Sequence, residues 1–404
     1  MRKNTRNAIL NYPRGTYDID EKHYTKYLEI LYMLESIARS CGFEMIKTSP
    51  FMYSELSQFA KAAKGKIYEI KSQKRKDIAL TSDSTLSILR FYYARYYRKS
   101  KKICSNIKVF RRNKKRREFS QYCFEIVGAN SPEDIEINVL LILDKIINNI
   151  KPNYKISVND FAIWKNILLD FGDYKEVLYK IRMESDPLTY LTKTLKLPKK
   201  SIEFLKFAYF NQALTTNELI EYCQVHNLSV FLIRFKNLQE RLKILGVKLD
   251  TTFNFFDFRG SEIFENRYYK CLDTSGSPFL DGGNDSEFSS KILGYSSQCG
   301  GVAICLEAVL DNYVGKDLPK RALVKMGHIK KEDFYLMLEN LRSCVSLGIE
   351  FIEDDAPYSI SRSKKRAYCD SFDYFMVLGE YEMKRRTAEL EDLATHDKKK
   401  LNWR

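Results

Sequence analysis

Histidine is scarce in this chain, and no two cysteines stand as a Cys-x-x-Cys pair. Four histidines and nine cysteines are scattered through 404 residues. That pattern argues against a structural zinc site and against a disulfide framework, and makes a reducing compartment the default. No apolar run approaches the length of a bilayer-spanning helix, so no membrane partner is expected. Internal repeats and long low-complexity tracts are also missing. The first seventeen residues carry four basic and no acidic side chains. This is slightly like an organelle address, but a ragged basic terminus on a cytoplasmic protein is the plainer reading. A last absence is local: between Ser84 and Arg117 there is no Asp or Glu, against thirteen Lys or Arg.

That segment nearly accounts for the net charge of +15. Its interleaving with Tyr92, Tyr93, Tyr96 and Tyr97 points to nucleic acid or an anionic cofactor. An anionic membrane surface is the weaker alternative. The length allows two or three domains, and 44% apolar with 13% aromatic residues is globular.

The stretch Ile107 to Gly128 reads as two strands around a basic turn. Ile107, Val109 and Arg111 share one face of the first; Arg117, Phe119, Gln121, Cys123 and Glu125 share one face of the second. Arg, Gln and Glu stand where a half-buried strand would put aliphatics, so those side chains face something polar. Six of the seven residues from Arg111 to Arg117 are basic, which suits an anion; the plain alternative is a solvated hairpin tip. Arg112, Lys114, Lys115 and Arg116 are the candidate RNA contacts.

Along the chain, Asp18 or Asp20 caps a helix ended by Gly42. Phe43 to Thr48 reads as a strand, and Ile67 to Ile70 with Ile78 to Leu80 as a hairpin. The run Thr81 to Thr85 caps the next helix, and Ser131-Pro132-Glu133-Asp134 starts another. Residues 170–250 are mostly helical and look inserted. Phe253 to Glu265 and Arg267 to Leu272 read as strands, Phe279 to Asn284 as a tight turn, and Gly300 to Glu307 as a strand entering a helix. From Pro319 a helix, strand, helix and strand (Phe334 to Leu347, Ile349 to Ile352, Ser363 to Phe372, Tyr374 to Leu378) make a small α/β unit.

In order, YPRGTYDI, FEMIKTSPFMYSELSQF, LTSDST, VFR with RREFSQYCFEIVG, FFDFRGSEIFE and FLDGGND resemble the opening signature, first motif, Thr-Pro-Glu-Gly-Thr loop, second motif, histidine-specific segment and Gly-Gly-Arg-Tyr-Asp turn of the histidyl-tRNA synthetases, a class II family. LGIEFI, YFMVLGEYEM and TAELEDLAT are similar to the family's anticodon-binding domain. The resemblance implies an α+β fold: a mainly antiparallel sheet flanked by helices, a helical insertion, and a C-terminal α/β anticodon-binding-like domain. The implied domains are 1–169 and 251–315 for the two parts of the catalytic-like core, 170–250 for the insertion and 319–404 for the C-terminal domain. It further implies a homodimer, a tRNA (histidine-type) or other RNA partner, and ATP with Mg2+ where activity is retained. No metal site of the protein's own is expected. By position, Arg111 and Arg117 would contact ATP. Asp83, Thr85 and Gln121 would hold the amino group of histidine, with Glu125 at its imidazole.

The departures fall at the reaction centre. The family's histidine-specific Arg falls on Asn254 and its motif-three Arg on Ala308, while Gly283-Asn284-Asp285 replaces a cation and a Tyr. One well-placed phosphate cation is worth about 2–4 kcal/mol of transition-state stabilisation. Arg259 takes the place of a Tyr in the histidine pocket, and is expected to pair with Glu125 across it. Three functions compete. The first is a synthetase-like protein with histidine activation lost or weakened and its RNA surface kept. The second is a working but divergent histidine–tRNA ligase that recruits Arg112, Arg116 or Arg259. The third is a non-catalytic regulatory subunit of ATP phosphoribosyltransferase.

Overall fold

The computed structural model describes residues 11–59, 67–72, 76–112, 116–150, 155–272, 278–310, 313, 320–343, 349–354, 356–370 and 372–403. The chain divides into two units, residues 1–314 and 315–404.

The first unit is built on a nine-stranded sheet. In chain order its strands and those of a small neighbouring sheet are β1 (Glu44–Met45), β2 (Phe51–Tyr53), β3 (Glu69–Ile70), β4 (Ile78–Leu80), β5 (Lys101–Phe110), β6 (Glu118–Val127), β7 (Ile156–Asp160), β8 (Leu214–Thr215), β9 (Thr251–Phe253), β10 (Arg267–Leu272), β11 (Pro278–Asn284) and β12 (Cys299–Cys305). The large sheet runs β1-β5-β6-β12-β11-β10-β7-β9-β8, with β2-β4-β3 apart from it. Only the β1–β5 and β7–β9 pairings are parallel.

The hairpin at the centre follows from its alternation. Ile107 opposes Gln121, Ser105 opposes Cys123 and Ile103 opposes Glu125. Tyr122, Phe124 and Ile126 therefore point to the other face, where they join one core with helices α1 (Glu21–Ser40) and α2 (Pro132–Ile150). Both helices start where the sequence places them. Asp20 accepts from the His23 N–H, and Ser131 accepts from the Asp134 N–H. The helices of the 170–250 segment share this core through Phe204, Phe231 and Phe235, and the segment lends β8 to the sheet.

Three expected elements differ. The strand beginning at Phe253 stops there, because Asn254 Oδ1 accepts from the Phe256 N–H and Asp257 Oδ1 from the Arg259 N–H, turning the chain twice. Conversely, Phe279 to Asn284 is strand, not turn. Its glycines serve close strand approach, since a Cβ on Gly283 would lie 2.5 Å from the Arg267 carbonyl oxygen. The expected strand Phe43 to Thr48 shrinks to β1.

The second unit holds β13 (Lys320–Met326), β14 (Ile349–Asp354), β15 (Tyr374–Leu378), β16 (Thr387–Asp392) and β17 (Lys398–Asn402), ordered β14-β13-β15-β16-β17. β13 pairs parallel with both β14 and β15, and the last two strands add antiparallel. Helices Lys331–Ser343 and Ile360–Cys369 connect the parallel strands.

Candidate functional site

One face of the large sheet is unevenly furnished. Reading across it, Glu125 opposes Gly301, which opposes Gly283; Cys123 opposes Ala303, which opposes Asp281. Gly301, Gly283 and Ala303, with small or absent side chains, thus sit beside Glu125 and Asp281, and the face sinks there. The helices Ser84–Tyr96 and Ser286–Leu293 cover the same face beside it, packing Ile88, Leu89 and Leu293 on Ile103, Ile107 and Val127. The cavity left is lined by Asp83, Thr85, Gln121, Glu125, Asp281 and Asp285, with Ile263, Phe264 and Phe288 as apolar walls.

Each polar group is positioned by an identifiable local cause. Asp83 caps the Ser84–Tyr96 helix by accepting from the Thr85 N–H at 3.0 Å. The first turn then presents Thr85, whose hydroxyl donates to Glu125 Oε1 at 2.5 Å, and Ser84, which donates to Gln121 Oε1 at 2.9 Å. Cys123 donates to the same Glu125 oxygen at 3.1 Å. Across the cavity Asp285 Oδ1 accepts from Ser289. Asp281 accepts from the Tyr268 hydroxyl at 3.0 Å.

The electrostatics are one-sided. Among the described residues lining the cavity there are four carboxylates and no Lys or Arg. Burial pushes the Glu125 carboxyl up to about 7; its bonds from Thr85 and Cys123 pull the other way, and the Asp83 charge adds to the rise. Burial, then the charge of Glu125, lifts Asp285 well above the ordinary carboxylate range.

The resemblance places Asp83, Thr85, Gln121 and Glu125 in one pocket, and the structure brings these four together. Arg259 goes elsewhere. Its guanidinium clasps Asp257, two residues before it, which also pairs with Lys270. Burial raises Asp257, but the bonds from Arg259 and Lys270 overcome it and hold the carboxyl at about 2. The expected Arg259–Glu125 pair is therefore replaced: Glu125 makes no ion pair among the described residues, and the turns at Asn254 and Asp257 supply Arg259 with a nearer acid.

Arg111 flanks the cavity. Its Nε donates to the Ser82 carbonyl at 3.0 Å, its guanidinium lies over Phe119, and Nη2 stands 3.8 Å from Asp83. Arg116 lies over the Tyr17 ring and donates to Cys305. Arg117 is held through its main chain, which accepts from the Arg111 N–H and donates to the Gly15 carbonyl. Arg112 is exposed, and Lys114 and Lys115 lie outside the described residues.

Asn254 spends its side-chain oxygen on its own turn. Ala308 is buried in the core beside β6. The adjoining Glu307 accepts the Ser120 N–H at 2.7 Å, and burial pushes its carboxyl up to about 7 against that bond. Sequence reasoning missed Asp281 as a lining residue; its signal was an acid placed directly before the Gly282-Gly283 pair. No group of three or more His, Cys, Asp or Glu among the described residues is arranged to hold a metal ion. Likewise, no described helix is long and apolar enough to cross a membrane.

Residues 15–309 match the profile of a family described as histidyl-tRNA synthetase. A histidine–tRNA ligase of Archaeoglobus fulgidus is 24% identical over 334 residues, covering 74% of this chain and 75% of that protein. The crystal structure of a histidyl-tRNA synthetase from Nostoc sp. PCC 7120 superposes with a TM-score of 0.75 at 16% identity, covering 97% of both chains. A structure described as an ATP phosphoribosyltransferase regulatory subunit/histidyl-tRNA synthetase from Bacillus halodurans superposes with a TM-score of 0.71 at 15% identity, covering 92% of this chain and 98% of that one.

Proposed function

The chain belongs to the histidyl-tRNA synthetase family, and from that premise we propose that it keeps the synthetase frame and an RNA-binding surface while histidine activation is lost or greatly weakened. One observation carries this: the pocket at the family's amino-acid position is lined by four carboxylates and no cation. Joining a carboxylate to a phosphate brings like charges together, and needs fixed donors at the developing charge. Here Asn254 and Ala308 stand where the resemblance puts arginines, and neither side chain can supply a cation. Arg111 remains, but its Nε is spent on the Ser82 carbonyl and its charge is shared with Asp83.

ATP with Mg2+ would supply the phosphate to be attacked. The donors present fit it poorly: Glu307 is turned onto the Ser120 N–H, and Ala308 cannot clamp a nucleotide.

A homodimer is supported by the exposed apolar side chains of Met45, Phe51, Tyr53 and Phe59, gathered on the segment that resembles the family's first motif. An RNA partner is supported by exposed Arg95, Arg98, Lys99 and Arg112. Other members of the basic segment are committed within the fold: Lys101 pairs with Glu44, Lys102 donates to Asn138, and Arg90 donates to the Phe51 and Ser49 carbonyls.

A second reading, a regulatory partner of a phosphoribosyltransferase, is favoured by the likeness to the Bacillus halodurans structure. Co-purification with such a catalytic chain would select it. The test of the first reading is charging of tRNA with labelled histidine. Charging about 1,000-fold or more below a functioning synthetase is expected; charging at an ordinary rate overturns it.

A further inference from the structure

A second cavity lies behind the sheet. Arg267 and Tyr269 alternate along β10 with Tyr268, which donates to Asp281 of the acidic cavity, so they point to the opposite face. Helix α2 covers that face, and Tyr269 donates to its Glu136. Three elements converge there. Glu133 and Glu136 stand one turn apart on α2, and Arg234, Asn237 and Arg241 run down one side of the helix Ser229–Leu245. With Arg267 and Tyr269 they enclose about 100 Å3.

Cations and anions alternate across it. Asp160 takes two bonds from Arg234 and stands 3.4 Å from Arg267 Nε, and Glu136 pairs with both Arg267 and Arg241. Three guanidiniums thus share two carboxylates, and one positive charge is left over at the Arg241 end. Burial, then the like charge of Arg267, lowers Arg241 from its ordinary value, yet a guanidinium stays charged inside a protein. The remaining acid, Glu133, is exposed at the rim, where water screens it. Donors are left over as well. Arg241 meets Glu136 through Nη1, and its Nε and Nη2 make no bond among the described residues. Asn284, 5% exposed, lines the same cavity; its Oδ1 accepts from the Ser286 N–H, while its Nδ2 has no partner among the described residues. Arg267 Nε, on a side chain 6% exposed, likewise makes no hydrogen bond. Buried N–H groups beside a surplus cation select for a ligand that brings acceptors and one negative charge.

We propose that this cavity binds a small monocarboxylate, its planar oxygens meeting the Arg241 guanidinium and the Asn284 amide. The single charge matches the surplus. A phosphate dianion matches less well, because its second charge faces Glu133 and Glu136. Arg241 belongs to the 170–250 helices and Asn284 to β11, so the ligand ties the inserted segment to the sheet. The inference is independent of whether histidine is activated.

The test is isothermal titration of the full chain at neutral pH and low salt with sodium acetate, sodium propionate and sodium phosphate. The two carboxylates are expected to bind with a Kd of about 1 mM or tighter, the worth of two charge-assisted bonds, and about tenfold tighter than phosphate. Arg241→Gln should weaken acetate binding about 10-fold or more. Asn237→Leu keeps every charge and narrows the mouth, and should weaken it by a similar factor. Glu133→Gln removes an opposing charge and should tighten binding about two- to fivefold. Thermal unfolding of each variant separates lost binding from lost fold. Phosphate binding as tightly as acetate overturns the inference. So do carboxylate binding absent below about 20 mM, weaker binding by folded Glu133→Gln, and an unchanged Kd in folded Arg241→Gln and Asn237→Leu.

Discussion

Glu125 shows how far a single residue can be read. Burial raises its carboxyl from 4.5 to about 7. The folded chain therefore holds a proton that the unfolded chain releases. Its stabilising contribution is complete below about pH 4.5 and is lost as pH rises through about 7. The difference is on the order of 3 kcal/mol. Asp285 and Glu307 are raised in the same direction, so they add to the same decline. Glu125→Gln should shrink the stability lost between pH 5 and pH 8, measured by urea unfolding at each pH. An unchanged difference would mean that Glu125 ionises freely in the fold. The sequence made Glu125 legible because alternation along β6 set Gln121, Cys123 and Glu125 on one face. Arg259 was not legible in the same way. Its partner depends on two side-chain-capped turns that put Asp257 under its guanidinium, and no strand parity reveals those.

At the scale of elements, the floor of the cavity depends on how closely β6, β12 and β11 approach. A Cβ on Gly301 would run into the Phe124 carbonyl oxygen as well as Glu125 Oε2. Gly301→Ala should therefore cost about 2 kcal/mol or more by chemical denaturation; a neutral substitution would show that the strands can part. Gly282-Gly283-Asn284 reads as a turn in sequence for the same reason that it works as strand here: the residues that permit tight turns also permit tight strand crossing. By contrast, the helix starts at Asp20, Asp83 and Ser131 were plain, because capping is settled within four residues. The 170–250 helices looked inserted, yet they are tied into the sheet by a buried ionic cluster. Asp160 on β7 is fully buried, caps the helix Phe161–Ile167, and takes two bonds from Arg234 at 2.8 and 2.7 Å. Glu136 on α2 pairs with Arg267 and Arg241. Asp160→Ala strands these arginines, and a loss of about 3–5 kcal/mol is expected in urea unfolding. A loss below about 1 kcal/mol would place the arginines in water.

For the whole molecule, the basic segment that dominates the sequence is divided among a helix, a strand and a turn, and part of its charge is answered internally by Glu44 and Glu118. Exposed Arg95, Arg98, Lys99 and Arg112 are left to meet phosphates. If all four do so, tRNA affinity should fall by about two powers of ten between 50 and 200 mM salt. Filter binding across a salt series reads this directly, and a flat response would make the segment a solvated face. Replacing Phe51 and Tyr53 together by Lys should convert a dimer to a monomer in sedimentation velocity; an unaltered sedimentation coefficient would move the interface elsewhere.

All three scales meet in the cavity: its acids, its glycine floor, and a frame shared with the synthetases. The most direct measurement is histidine-dependent ATP–pyrophosphate exchange with the purified full chain, beside a functioning histidyl-tRNA synthetase. With Asn254 and Ala308 standing where the resemblance puts arginines, exchange about 1,000-fold or more below the functioning enzyme is expected. Exchange within about tenfold of it would contradict the loss of activation, and would mean that other arginines carry the reaction.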